Sequence, residues 1–147
     1  MRIANLDGRL VIVTGDAGRE TGYDVEKNSG GRFRADPQAI YDEWDSFTTW
    51  AAAAALQDGA AVRPEALGSP APVPRQVFGI GLNYREHAAE SGFDAPVGEP
   101  PVFTKFPTCI TGPCGDIEMP AAGHVDWEVE LVAVIGRRTR RVPPARP

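Results

Sequence analysis

Glu128 and Glu130 are the residues of this chain whose types and spacing first suggest chemistry. They lie in Val125–Gly136, written VDWEVELVAVIG, whose apolar content and alternation predict a buried strand that carries charge. On such a strand Trp127, Val129, Leu131, Ala133 and Ile135 share one face, and Glu128, Glu130, Val132 and Val134 share the other. The two carboxylates then stand about 7 Å apart on a mostly apolar face, where repulsion and desolvation call for a neutralising partner. A hard divalent cation with oxygen ligands would serve. The alternative is an edge strand whose glutamates face water, but Val132 and Val134 continue the same face, and a solvated face should stay polar.

A second group lies upstream. In Tyr84–Glu90, written YREHAAE, His87 and Glu90 are three residues apart, which on a helix puts imidazole and carboxylate on one face. A carboxylate fixes the imidazole tautomer and raises its basicity, as a histidine that takes a proton from water requires. A solvated helix turn would show the same spacing. Lys105 sits among Val102, Phe103 and Phe106, where an ammonium beside an apolar sheet could stabilise an oxyanion or enolate. It could equally snorkel to solvent from a strand edge. His124 reads as a loop residue, because magnesium-type sites prefer oxygen.

Composition bounds the partners. The chain has 147 residues, 42% hydrophobic and 24% charged, with a formal net charge of -5. A pI near 5.0 and the lack of a Lys/Arg-rich aromatic surface argue against nucleic acid, and a small anionic substrate would need a local cation. No apolar run approaches a membrane span and no signal-type start is present, so a cytoplasmic, non-membrane protein is expected. Cys109 and Cys114 match neither a zinc pattern nor a disulfide scaffold and are expected to be free thiols. Sixteen glycines and fourteen prolines predict a loop-rich, strand-containing fold.

The elements that must position these residues follow in order. Arg2–Leu6 and Arg9–Val13 flank Asp7-Gly8 and predict a hairpin. Residues 14–35 read as a loop with a short strand near Tyr23. Asp36-Pro37 opens an amphipathic helix that carries Ile40, Trp44, Phe47, Ala51, Ala54 and Ala55 as far as Gly59. A proline-rich stretch then places a boundary near residue 70. Gln76–Leu82 and Val102–Phe106 read as strands. Asn83 caps a helix over 84–91 that stops at Gly92. Gly79 and Gly81 do not complete a dinucleotide fingerprint, since Tyr84 stands where the third glycine belongs.

Taken together, Ile80–Glu90 (IGLNYREHAAE), Pro101–Phe106 (PVFTKF), Thr111–Pro113 (TGP) and Asp126–Arg137 (DWEVELVAVIGR) resemble the fumarylacetoacetate hydrolase family. The resemblance covers about residues 75–147, while residues 1–70 look like the small N-terminal extension of many bacterial members. It implies an α+β, mainly β fold: an N-terminal hairpin-and-helix domain, 1–70, followed by an incomplete mixed β-roll, 71–147. By the same resemblance His87 and Glu90 would be the water-activating dyad and Lys105 a substrate-contacting lysine. Glu128 and Glu130 would be two ligands of Mg2+ or Mn2+. The implied activity is metal-dependent hydrolysis or lysis of short, anionic β-diketo or 2-oxo acids, by C–C hydrolysis, decarboxylation or keto-enol isomerisation.

Family members carry a third metal carboxylate, an aspartate, on a later strand, ahead of which this sequence ends at Pro147. The expectation is therefore a truncated domain with very low activity. Asp116 or Asp126 is a conceivable substitute, Asp126 sharing a strand face with Glu128 and Glu130. The alternatives are an inactive scaffold, a self-associating fragment or homo-oligomer, and an independent N-terminal binding module.

Overall fold

The protein was analysed as a computed structural model describing residues 1–90, 92–94 and 98–143. It separates into two units: Met1–Pro72 with Thr111–Pro147, and Val73–Ile110.

The first unit is built on a hairpin. Strands β1 (Arg2–Leu6) and β2 (Arg9–Thr14) pair antiparallel with Leu6 opposite Arg9. Asp7 and Gly8 both hold positive φ, 51° and 77°, the primed-turn backbone that matches strand twist and that Asp-Gly supplies at low cost. Strand β3 (Thr21–Asp24) adds to β2, and two-residue strands β4 (Ala60–Ala61) and β5 (Leu67–Gly68) finish a five-stranded sheet ordered β4-β3-β2-β1-β5. The proline-rich stretch thus supplies the short pieces that cover both sheet edges, a common way to blunt them.

Helix α1 (Val25–Asn28) follows β3 at once, because the Asp24 carboxylate caps it by accepting the Lys27 N–H at 2.9 Å. Arg9 reaches the same carboxylate at 2.6 Å and Glu26 at 2.8 Å, tying β2 to the start of α1. Partial burial pushes the Asp24 carboxyl up, and the Arg9 and Lys27 hydrogen bonds outweigh it, leaving a net downward shift.

The helix expected from Asp36 to Gly59 is shorter and broken. Asp36 accepts the Gln38 N–H at 2.9 Å, a 3-10 turn covers Ala39–Asp42, and α2 is confined to Trp44–Ala53. Glu43 leaves helical geometry at φ -126° and Ala54 is extended at ψ 130°, so the chain turns outward there and continues to β4. One stripe of α2, formed by Trp44, Phe47, Trp50 and Ala51, packs on Leu10, Ile12, Val25, Phe33 and Ile40. Phe47 is fully buried and meets Phe33 edge-to-face with ring centroids 5.7 Å apart. On the same sheet face Asn5 is buried and donates to the Ser69 carbonyl at 3.0 Å. Gly68 is required beside it, since a Cβ there would lie 2.7 Å from the Asn5 amide nitrogen.

The second unit is an antiparallel ribbon of β6 (Val77–Ile80) and β7 (Val102–Lys105), with α3 (Arg85–Glu90) between them in sequence. Both expected strands form, and the class is α+β and mainly β, as the sequence predicts. The sequence also predicts a loop over Asp94–Pro101 and a helical turn after Val142; their residues 95–97 and 144–146, and Ser91 of the helix expected over 84–91, lie outside the described residues.

The strand expected over Val125–Gly136 is not formed. The segment has no ladder among the described residues, and its apolar side chains are exposed, Val129 by 80% and Leu131 by 89%. Alternation alone does not make a strand, which stands only when a neighbour takes up its N–H and C=O groups. The chain is nevertheless anchored in its own unit near this point. Arg137 binds Asp45 at 2.6 Å, and a Cβ at Gly136 would come 3.2 Å from the Trp44 ring.

Phe47→Ala should cost about 3–5 kcal/mol of unfolding free energy, read from urea denaturation, because it empties a fully enclosed site. Asp24 has a depressed carboxyl, so its stabilising effect is present above about pH 4 and is lost as the pH falls through its lower folded value. The melting temperature of Asp24→Asn should accordingly fall less on acidification than that of the parent.

Candidate functional site

The candidate groups divide between the two units. His87, Glu90 and Lys105 lie in Val73–Ile110, and Glu128 and Glu130 lie in the unit that contains Thr111–Pro147.

In the first of these, β6 leads to α3 through a tight turn in which Leu82 holds φ 51°. Left-handed backbone is costly for leucine, and such strain collects where a neighbouring geometry is over-determined. The Gly81 N–H donates to the Pro101 carbonyl at 2.8 Å, tying the turn to the residue before β7. Helix α3 is described as far as Glu90, and beyond it Gly92 holds φ 73°, which suits a left-handed cap. The Phe93 N–H closes that end on the Ala88 carbonyl at 2.9 Å. Ala88 is completely buried, which fixes the inward face of the helix, with His87 half-buried beside it and Glu90 exposed one turn on.

Lys105 stands opposite Val77 at the end of β7 and is exposed. Its ammonium lies 5.9 Å from the centroid of the Phe103 ring, at the limit of a cation–π contact. Phe103 in turn lies over Gly79, where a Cβ would come within 2.4 Å of the ring. Gly79, set aside as a nucleotide-loop glycine, is thus a packing glycine: its missing side chain makes room for the ring beside Lys105. The sequence signal that could have found this is the pairing of a glycine with an aromatic on facing strands.

Glu128 and Glu130 are both exposed, as is Asp126, whose carboxylate accepts the Trp127 N–H at 2.8 Å. Asp116 and His124 are exposed too. Among the described residues no group of three or more His, Cys, Asp or Glu side chains is gathered as a metal would require, so neither Asp116 nor Asp126 completes a three-carboxylate set. The donor type of the glutamate pair fits a hard divalent ion, since magnesium is commonly held by one or two carboxylates with water in its other positions. Cys109 and Cys114 are free, as expected, and exposed.

A cleft of about 630 Å³ lies elsewhere, lined by Leu6, Arg9, Val11, Asp24, Asn28 and Gln57 among others, and contains none of the candidate groups. The charge of Arg9 there is already committed to Asp24 and Glu26. No helix among the described residues is long and apolar enough to cross a membrane.

Residues 76–146 match the family described as fumarylacetoacetate (FAA) hydrolase C-terminal. Proteins from Burkholderia cenocepacia and Burkholderia ambifaria, each described as "Putative hydrolase", are 49% identical over 70 residues, covering 47% of this chain and 24% of their own length. A crystal structure described as a "putative HpcE protein" from Mycobacterium smegmatis superposes with a TM-score of 0.71 at 50% identity. That match covers 82% of this chain and 41% of the other. The fold is therefore of the fumarylacetoacetate hydrolase class. Residues 76–146, just under half of the chain, match that family, and the match spans about a quarter of the length of the curated relatives.

Gly79→Ala should displace the Phe103 ring and with it the Lys105 ammonium. Amide and ring NMR shifts on β6 and β7 are expected to change together, while Leu10 and Phe47 in the other unit keep theirs.

Proposed function

We propose that this chain carries part of the active site of a metal-dependent hydrolase or lyase acting on short β-diketo or 2-oxo acids. The observation that supports it best is that the family match over 76–146 contains all five candidate residues, His87, Glu90, Lys105, Glu128 and Glu130. The relatives aligned with the chain are themselves described as hydrolases.

In this reading Glu128 and Glu130 hold Mg2+ or Mn2+, which when bound would polarise the carbonyl or enol oxygen of the substrate. His87, oriented by Glu90 from the same face of α3, takes a proton from water at an imidazole nitrogen and passes one back to the leaving carbon. The Lys105 ammonium, its position set by Phe103 and Gly79, meets an anionic oxygen of the substrate, which an acidic chain otherwise repels. C–C hydrolysis, decarboxylation and keto-enol isomerisation all use these parts. Residues 1–70 act as a separate domain, and the protein works in the cytoplasm.

A second reading is a non-catalytic scaffold. It is favoured by the exposure of both glutamates and by the absence of a third ligand among the described residues.

Assays of acylpyruvates and oxaloacetate with millimolar Mg2+ or Mn2+ separate the two. Slow turnover that needs the metal and falls about a hundredfold or more in His87→Asn supports the enzyme. Turnover that ignores chelator and substitution alike overturns the mechanism, and no turnover at all supports the scaffold.

A further inference from the structure

We infer that Asp58 is a site of spontaneous isoaspartate formation, and that the modified residue loosens β4 from the N-terminal sheet. This goes beyond the proposed activity and does not rest on it.

The sequence contains Asp-Gly twice, at Asp7-Gly8 and Asp58-Gly59. A glycine leaves its own backbone nitrogen unshielded, so the carboxyl of an aspartate just before it is open to attack by that nitrogen. Both aspartates hold left-handed backbone, at φ 51° and 54°. Their surroundings differ. Asp7 sits in the hairpin turn, its carboxylate held by Arg63 at 2.7 Å and its N–H donating to the Ala66 carbonyl at 2.8 Å. Asp58 is exposed, and among the described residues neither its carboxylate nor the Gly59 N–H has a hydrogen-bond partner.

The reaction needs only the chain and water. The Gly59 nitrogen gives up its proton and bonds to Cγ of Asp58, the carboxyl loses an oxygen as water, and the product is a cyclic imide. Water then opens the imide. Breaking the bond from nitrogen to Cγ restores aspartate, whereas breaking the bond from nitrogen to the α-carbonyl carbon gives isoaspartate, in which the main chain runs through Cβ and Cγ. The water lost in closing is regained in opening, so the mass is unchanged. The methylene that enters the main chain has no slack to fall into. On one side Asn28 clamps Gln57, accepting its N–H at 2.7 Å and donating to its carbonyl at 3.2 Å, and on the other Ala60 pairs with Gly22. Between them Gly59 is packed so closely that a Cβ would lie 2.5 Å from the Thr21 methyl and 2.6 Å from the Tyr23 ring. A longer path through residue 58 therefore shifts Gly59 and pulls Ala60 and Ala61 from β3, and a strand of two residues has little to resist with.

The test is to age the full chain in neutral, heavy-oxygen water, digest it in ordinary water and map the peptides by mass spectrometry, since each imide opening leaves a heavy oxygen behind. Isoaspartate is expected to accumulate about tenfold faster at Asp58 than at Asp7, the factor set by one hydrogen bond and one exposed ion pair. In urea, where those contacts are gone, the two sites should react alike. Asp58→Glu, which moves the carboxyl out of easy reach of the Gly59 nitrogen, should stay unlabelled at that position. The separated isoaspartate form should show faster amide exchange at Val62, whose N–H donates to the Glu20 carbonyl at 3.0 Å just past β4, while the amides of β1 and β2 keep their rates. No label at Asp58, equal rates at the two sites in native buffer, or a preference for Asp58 that persists in urea would each overturn the assignment. An isoaspartate form in which Val62 exchanges as in the parent would overturn the release of β4.

Discussion

A strand's N–H and C=O groups need a neighbour, and this requirement decides which parts of the chain are ordered structure. In the N-terminal sheet it is met everywhere that matters. The Asp-Gly turn sets β1 against β2 in register, β3 follows, and the two-residue strands at Ala60 and Leu67 close both sides. One face of that sheet then buries Leu10 and Ile12 under the aromatic stripe of α2, so hydrogen bonding and apolar burial reinforce one another. Val125–Gly136 has the alternation and apolar content of a strand and forms none among the described residues.

That contrast bears directly on the candidate chemistry. His87 and Lys105 sit on formed elements, a capped helix and a paired strand, and the turn at Leu82 and the packing of Phe103 on Gly79 restrict where they point. Glu128 and Glu130 sit on the segment without a ladder. Two carboxylates on such a stretch lack the fixed spacing that a ladder imposes, so they lose the preorganisation that makes a metal site tight. Whatever supplies a neighbouring strand to this segment would also fix the spacing of the two acids. In the proposed reading, folding and metal binding would thus be coupled at one place in the chain.

Much of the fold was legible in the sequence where the cause is local. Asp7-Gly8 allows little but a primed turn, Gly92 marks the end of α3, and the alternation in Val77–Ile80 and Val102–Lys105 gave both strands of the ribbon. The helical periodicity that begins at Asp36 continues through Ala54 and Ala55, although the chain must leave the helix there to deliver Ala60 to the sheet. The pattern around Glu128 misleads for the opposite reason. It is a true strand pattern, but pairing depends on residues distant in sequence, and periodicity does not say whether they are there. The chemical types of the candidate residues were readable, and the family match contains all of them. The roles of Gly79 and Leu82 were not, because a packing glycine and a left-handed leucine are defined only by what lies next to them.

The central claim is that strand pairing decides which segments of this chain are firmly ordered. Amide hydrogen exchange measures that directly. The account predicts strong protection at alternate amides of β1 and β2, which pair along their length, and weaker protection over 125–136, which has no ladder among the described residues. Protection of 125–136 as strong as that of β1 and β2 would contradict it.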